Sequence, residues 1–390
     1  MALLVLVPLA TTAAVALDWW IARPADHTKQ YVGRGRCIEC HQEQAAEFAG
    51  SDHDLAMQPA TPETVLARFD DRQLDHGGVP TRMHQQGEQF LVTTDGPDGE
   101  QQTFDVKYAF GVRPLQQYLV ELEGGHVQCL PWAWDTQAEE WFHLYPDEEL
   151  PAGDLLHWTG RAQNWNHMCA DCHSTDVEKH YDHATNTFHT TFAEIDVSCE
   201  ACHGPGSLHV ELAESPSLFW DRRHGYGLAQ LKGRSSKPQL DTCARCHSRR
   251  RNVYPGYEAG QEFLDFYEPE LLDGDVYHVD GQIHEEVYVY GSFLQSRMYQ
   301  RGVRCTDCHD PHSTRLVAEG NALCVRCHTA ARFDTPGHHH HEANSTGAQC
   351  VACHMPERTY MIVDPRRDHS FRVPRPDVTA ELGTPNACAD

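Results

Sequence analysis

Hydrophobic residues along this chain fall into three patterns. Met1 to Leu17 (MALLVLVPLATTAAVAL) is an uncharged apolar run, followed by Asp18, Trp19, Trp20 and Arg23. It predicts a helical export segment over residues 1–24. A cleavable signal needs a basic start and a small-residue site, and only Ala14-Val15-Ala16 answers to that description. An uncleaved anchor needs about 20 apolar residues and interfacial aromatics, and Trp19-Trp20 stand where such a belt would lie. The anchor is the favoured reading, and a missing upstream start would account for the absent positive charge.

The second pattern has period two. Gln89–Thr94 and Thr103–Phe110 flank Asp95-Gly96-Pro97-Asp98-Gly99, a hairpin signal. Gln117–Leu122 alternates and is turned by Gly124-Gly125 into His126–Leu130. Trp132, Trp134 and Trp141-Phe142 add aromatic bulk, read as packing. These runs predict a small antiparallel β subdomain from Asp75 to Leu144, within a β-rich insertion over 75–150. After residue 150, Pro, Gly and charged residues interrupt every longer apolar run, predicting short helices and irregular connections to residue 390.

Cysteine supplies the third pattern. Cys-x-x-Cys-His occurs seven times: Cys37/Cys40/His41, Cys169/Cys172/His173, Cys199/Cys202/His203, Cys243/Cys246/His247, Cys305/Cys308/His309, Cys324/Cys327/His328 and Cys350/Cys353/His354. Fourteen of 16 cysteines are used in this way. Two thiols three positions apart share one helical turn and can each add to a haem vinyl group, while the next residue presents an imidazole to the iron. Zinc ribbons and dithiol redox pairs do not require the following His in all seven cases. Seven covalent c-type haems are therefore expected. Cys388, near the end of the chain, opens what reads as an eighth motif that runs past Asp390, so the sequence reads as a fragment. Cys129 belongs to no motif and reads as a small buried thiol.

One motif stands in a first haem segment, residues 25–74, and six crowd into Cys169 to His354 within a haem-cluster domain, 151–390. Hydrophobic residues make up 40% and mean hydropathy is -0.58, lean for one large core, so the porphyrins are expected to fill the interior. The predicted fold is thus mostly α-helical and irregular, organised around stacked haems, with the β subdomain inserted after the first. Thirty-one Lys plus Arg against 57 Asp plus Glu leave a formal charge of -26, which excludes a nucleic-acid binder and favours a redox partner with a basic docking face. Haem attachment of this kind takes place outside the cytoplasmic membrane, so a periplasmic or extracellular location follows, membrane-anchored or secreted.

Whether each iron carries a second axial ligand separates an electron carrier from an enzyme. Twenty-one of the 28 histidines lie outside the motifs. His209 and His312 follow the third and fifth motifs too closely to reach around their own porphyrins, and so are expected to cap neighbouring haems. His53, His143, His157 and His369 are further candidates, as are one or two residues of the His338–His341 tract, with His339 and His340 singled out. Met298 reads as packing. No catalytic residue is predicted.

Several runs resemble multihaem cytochromes c of the octahaem, tetratricopeptide-containing type: Ser51–Gln58 (SDHDLAMQ), Phe110–Tyr118 (FGVRPLQQY), Gly291–Ser296 (GSFLQS) and Asp364–Pro376 (DPRRDHSFRVPRP). The resemblance covers nearly all of the chain from Tyr31, and implies an eighth motif and a helical repeat region beyond residue 390, with repeat-domain partners. Val197–Gly206 (VSCEACHGPG) is also similar to the wider group of hydroxylamine oxidoreductase and its tetrahaem cytochrome. Multihaem nitrite and tetrathionate reductases often carry Lys in place of the motif His, whereas all seven motifs here keep His. The function expected is electron carriage along closely packed haems between redox partners. The alternative is a small-molecule oxidoreductase acting on nitrite, hydroxylamine or a sulfur oxyanion at one five-coordinate haem.

Overall fold

The computed structural model describes residues 2–21, 28–215, 217–219 and 225–388. Helix α1 (Ala2–Ile21) contains Pro8 and Asp18. Among the described residues no helix is long and apolar enough to cross a membrane, so the anchor expectation finds no support there. Residues 22–24 of that predicted segment lie outside the described residues. The first motif follows, with Cys37 on α2 (Arg34–Ile38) and His41 capping α3 (Gln42–Phe48).

The β unit is larger than its sequence signal. Nine strands form one antiparallel sheet: β1 (Met57–Pro59), β2 (Asp70–His76), β3 (Val79–Gln86), β4 (Gln89–Asp95), β5 (Gln101–Phe110), β6 (Leu115–Leu122), β7 (His126–Cys129), β8 (Trp132–Asp135) and β9 (Glu140–His143). The main path runs β2-β3-β4-β5-β6-β8-β9, with β1 on β5 and β7 on β6. The predicted hairpin is there, with Thr93 opposite Thr103. The expected start at Asp75 is too late, because β1 lies upstream of it and β2 begins at Asp70. β2 (DDRQLDH) is mostly exposed and edges the sheet, so it carries no apolar alternation to betray it. Along β4 the inward positions Phe90, Val92 and Thr94 are buried, and they meet a core of Met83, Val106, Tyr118, Val120, Leu130 and Trp134.

The haem-motif part is built otherwise. Helices α4 (Trp165–Met168), α5 (Ala170–His173), α6 (Cys199–His203), α7 (Ser207–Glu214) and α8 (Lys237–His247) are short, and each except α4 and α7 ends a motif at its His. Apolar clusters here are small, such as Ala244, Tyr257, Phe263 and Tyr267. From 297 to 347 no residue is buried.

Candidate haem centres

Within a motif the chain turns helically, so that the His amide closes on the carbonyl of the first Cys. The N···O distances are 3.0 Å for His41, 3.2 Å for His173, 2.9 Å for His309 and 3.0 Å for His328. One turn thus stacks the imidazole above the two thiols on one face.

The decisive geometry lies opposite the motif histidines. Five of them face a second imidazole: His41 and His209 with ring centres 5.9 Å apart, His203 and His312 at 6.5 Å, His247 and His53 at 6.2 Å, His309 and His369 at 6.4 Å, and His354 and His338 at 6.1 Å. An iron bound by two imidazole nitrogens at about 2 Å each, with about 1.1 Å from nitrogen to ring centre, separates the centres by about 6.2 Å. The gaps therefore match one metal apiece. Direct ring stacking would be closer, as in His76 and His143 at 3.7 Å.

Tautomers agree with that spacing. Carbonyl oxygens only accept, so an Nδ1 against one carries the proton and leaves the Nε2 lone pair for a metal. Nδ1 of His209 lies 2.7 Å from Tyr226 O, that of His369 2.9 Å from Arg367 O, that of His354 2.6 Å from Arg372 O, and that of His173 3.2 Å from Ala56 O. His312 is different, with Nδ1 3.7 Å from a Glu47 carboxylate oxygen. Burial, reinforced by His53, His309, His369 and Arg366, pushes His247 down to about 4, and so keeps it neutral as a ligand must be.

Motifs meet at their cysteines. The thiol of Cys37 lies against that of Cys199, Cys172 against Cys246, Cys243 against Cys305, and Cys324 against Cys350. Between α5 and α8 the contact is knitted further. Cys172 Sγ is 3.8 Å from Arg245 O, and Asp171, inside the second motif, takes salt bridges from Arg245 at 3.2 Å and Arg250 at 2.5 Å. Both guanidiniums hold the Asp171 carboxyl below its ordinary value against the opposing effect of burial. Cys40, Cys202, Cys308, Cys327 and Cys353 complete their motifs, and Cys388 is exposed within the electrostatic reach of Cys353.

Not every candidate histidine is brought to a motif. Both ring nitrogens of His157 are occupied, Nδ1 by Thr159 Oγ1 at 2.7 Å and Nε2 by Asp95 at 2.9 Å, so this buried residue ties its loop to the end of β4 and has no lone pair to offer. His143 ends β9, stacks on His76 and packs edge-on to Trp132 at 5.1 Å. His339 accepts a bond from the His341 amide at 3.2 Å, and His340 sits in the left-handed region at φ 60°. The tract contributes His338 instead, on the single turn Pro336–His339. His53, His209, His312 and His369 stand opposite motif histidines from other parts of the chain.

His173 and His328 face no second imidazole among the described residues. The His328 ring has Phe333 edge-on at 5.7 Å. His173 is buried with Phe110 edge-on at 5.2 Å. Near the thiols of its motif lie the Tyr288 hydroxyl, raised by burial and then by Glu286 and Cys172, and the Tyr145 hydroxyl, raised by burial and bonded to Gln163 Nε2 at 2.9 Å. The Arg366 guanidinium covers the Tyr288 ring at 5.5 Å and pairs with Glu286 at 2.5 Å. Sequence reasoning missed these side chains, since a single Tyr or Arg carries no spacing signal. Cys129 is buried, accepts from Gln117 Nε2 at 3.2 Å and packs with Cys169. The indole nitrogen of Trp165, in the same cluster, has no acceptor from the protein.

Comparison with known proteins points the same way. Residues 299–333 match the family described as doubled CXXCH motif, and residues 132–204 match the family described as cytochrome c554 and c-prime. The solved outer cell wall cytochrome OcwA superposes with TM-score 0.60 and 18% identity, covering 92% of this chain and 83% of its own. The octaheme sulfite reductase MccA of Wolinella succinogenes gives TM-score 0.40 and 16% identity over 90% of this chain and 60% of its own. No curated protein matches. Motifs and family matches together define a multihaem c-type cytochrome. The likeness to OcwA is one of fold.

Proposed function

We propose that this cytochrome carries electrons between redox proteins outside the cytoplasmic membrane. The observation behind the reading is the set of five facing imidazole pairs, which would give five bound irons a ligand on each side and leave them no position for a substrate. Cys37, Cys40, His41 and His209 hold one haem; Cys199, Cys202, His203 and His312 a second; Cys243, Cys246, His247 and His53 a third. Cys305, Cys308, His309 and His369 hold a fourth, and Cys350, Cys353, His354 and His338 a fifth. Cys169, Cys172 and His173, and Cys324, Cys327 and His328, would hold two more. Bound haem supplies the one-electron iron couple.

What the chain does is hold the centres close and fixed. Each distal histidine is donated from a segment other than the one bearing the proximal ligand, so closing one centre draws two motif segments together. The touching thiols Cys37/Cys199, Cys172/Cys246, Cys243/Cys305 and Cys324/Cys350 do the same at the porphyrin rims. A carboxylate-rich surface, with charge -26, suits a partner with a basic docking face and slows anions at long range.

A second reading rests on His173. Among the described residues no second imidazole faces it, so a haem on this motif would keep one axial position for a small ligand, as an oxidoreductase site requires.

Electron paramagnetic resonance of the oxidised, haem-loaded protein tests both. Electron carriage predicts that low-spin iron dominates, and that His209→Ala and His53→Ala each convert one further iron to high spin. High-spin iron that shifts on adding nitrite, sulfite or hydroxylamine, and is unmoved by those variants, supports the oxidoreductase reading. If the two variants leave the low-spin count unchanged, the ligand pairs are wrong.

A further inference from the structure

Between the first and third motifs three carboxylates converge on one guanidinium. Arg34, on α2 one turn before Cys37, reaches Asp54 through Nη1, Asp196 through Nη2 at 2.5 Å and Ser198 Oγ through Nε at 3.2 Å. Glu194 Oε1 accepts the Arg34 amide at 3.0 Å and stands 3.9 Å from the guanidinium. Asp54 is further satisfied by the Gly50 amide at 2.7 Å, and Phe48 closes the cluster beneath Arg34 at 5.0 Å.

The electrostatic balance does not close. Three ionised carboxylates against one cation leave two negative charges in a poorly hydrated place. Asp196 is only 8% exposed, and its Oδ1 has no hydrogen-bond donor; neither has the buried Glu194 Oε2. A buried anionic oxygen without a donor is costly, and protonation relieves it. Burial, with Glu194 and Asp54 adding to it, raises the Asp196 carboxyl against the opposing pull of Arg34. Charged groups facing it are Arg34 from α2, Asp54 from the loop before β1 and Glu194 from its own segment. Ser198 immediately precedes α6, and Glu194 lies within electrostatic reach of both Cys37 and Cys199.

We propose that Asp196, set against Glu194 and Asp54, is a proton-binding site that takes up one proton for an electron arriving at the haem pair attached through Cys37/Cys40 and Cys199/Cys202. The inference rests on the haem reading of those motifs. In balance, a one-electron reductant gives one electron, ferric iron becomes ferrous, and solvent gives one proton that forms an O–H bond on a carboxylate. Added negative charge at the porphyrin rims raises carboxylate proton affinity, most strongly where water is scarce.

The test is a dithionite titration of the full haem-loaded chain between pH 5 and 8, resolving individual low-spin signals. The two centres with His41 and His203 share this one proton, so between them they are expected to lose at most tenfold in reduction equilibrium constant per pH unit, about 59 mV for one electron. Asp196→Asn and Glu194→Gln should each flatten that slope and leave the other centres unchanged. In the unmodified protein, reduction should bring in a carboxylic C=O infrared band that shifts in D2O, a readout independent of whether either variant folds. A slope that survives both variants, or no such band, overturns the proposal. Loss of the low-spin signals themselves would count against the haem-pair reading instead.

Discussion

The sheet and the haem-motif region are held together by different forces. From Met57 to His143 the chain packs against itself: Met57, Met83, Val92, Tyr118, Leu119, Val120 and Ala133 are all fully buried. From Cys169 onward apolar cores shrink to clusters of a few residues, and the 297–347 stretch buries none. In their place are motif thiols, imidazoles spaced for a metal and ion pairs such as Asp171 with Arg245 and Arg250. In the first region side chains alone fill the core. The second has the lean core expected if attached haem supplies the missing apolar bulk, and its stability should then depend on attachment.

The sharpest way to break that contrast is to remove attachment. Cys350→Ala with Cys353→Ala should expose residues 317–355 to limited proteolysis and leave 57–143 resistant; equal digestion of both regions would show that the sheet, too, needs haem. Next in size, Asp171→Asn leaves two guanidiniums facing a neutral group, with Arg245 side chain only 7% exposed, and should destabilise the protein by about 3–5 kcal/mol in denaturant unfolding. Met83→Ala should cost about 2–4 kcal/mol through a cavity in the sheet core, while the low-spin iron signals stay as they are.

The smallest effect is acid sensitivity of the sheet edge. Burial, and then neighbouring His76, hold His143 at about 4 against an ordinary 6.5. The unfolded chain thus binds this proton first, so stability is full above about pH 6.5 and falls as pH drops from there towards 4. His143→Gln should flatten the melting temperature across that window. An unchanged slope would place the acid-sensitive group elsewhere.

Different parts of this architecture were legible to different degrees. The hairpin of β4 and β5 showed itself through alternation and a Gly/Pro/Asp turn, and the structure pairs Leu91 to Asp95 with Gln101 to Asp105. β1 did not, because three residues pairing with Tyr108 to Phe110 from half a hundred positions away leave no local pattern. Histidines divided in the same way. His209 and His312 were expected to cap neighbouring haems, from their closeness to a motif, and both stand opposite the histidine of a different one. His157 and His143 were further candidates, yet Asp95 and Thr159 take one and His76 stacks on the other.

By itself the sequence determined what is local. Cys-x-x-Cys-His places two thiols and an imidazole on one turn because 3.6 residues make a turn, and alternating residues in β4, β5 and β6 select one face because strands have period two. Only tertiary structure decided which imidazole meets which. His53 opposite His247, or Asp196 and Glu194 around Arg34, join positions more than 150 residues apart, and such contacts are set by the packing of whole segments rather than by the residues beside them.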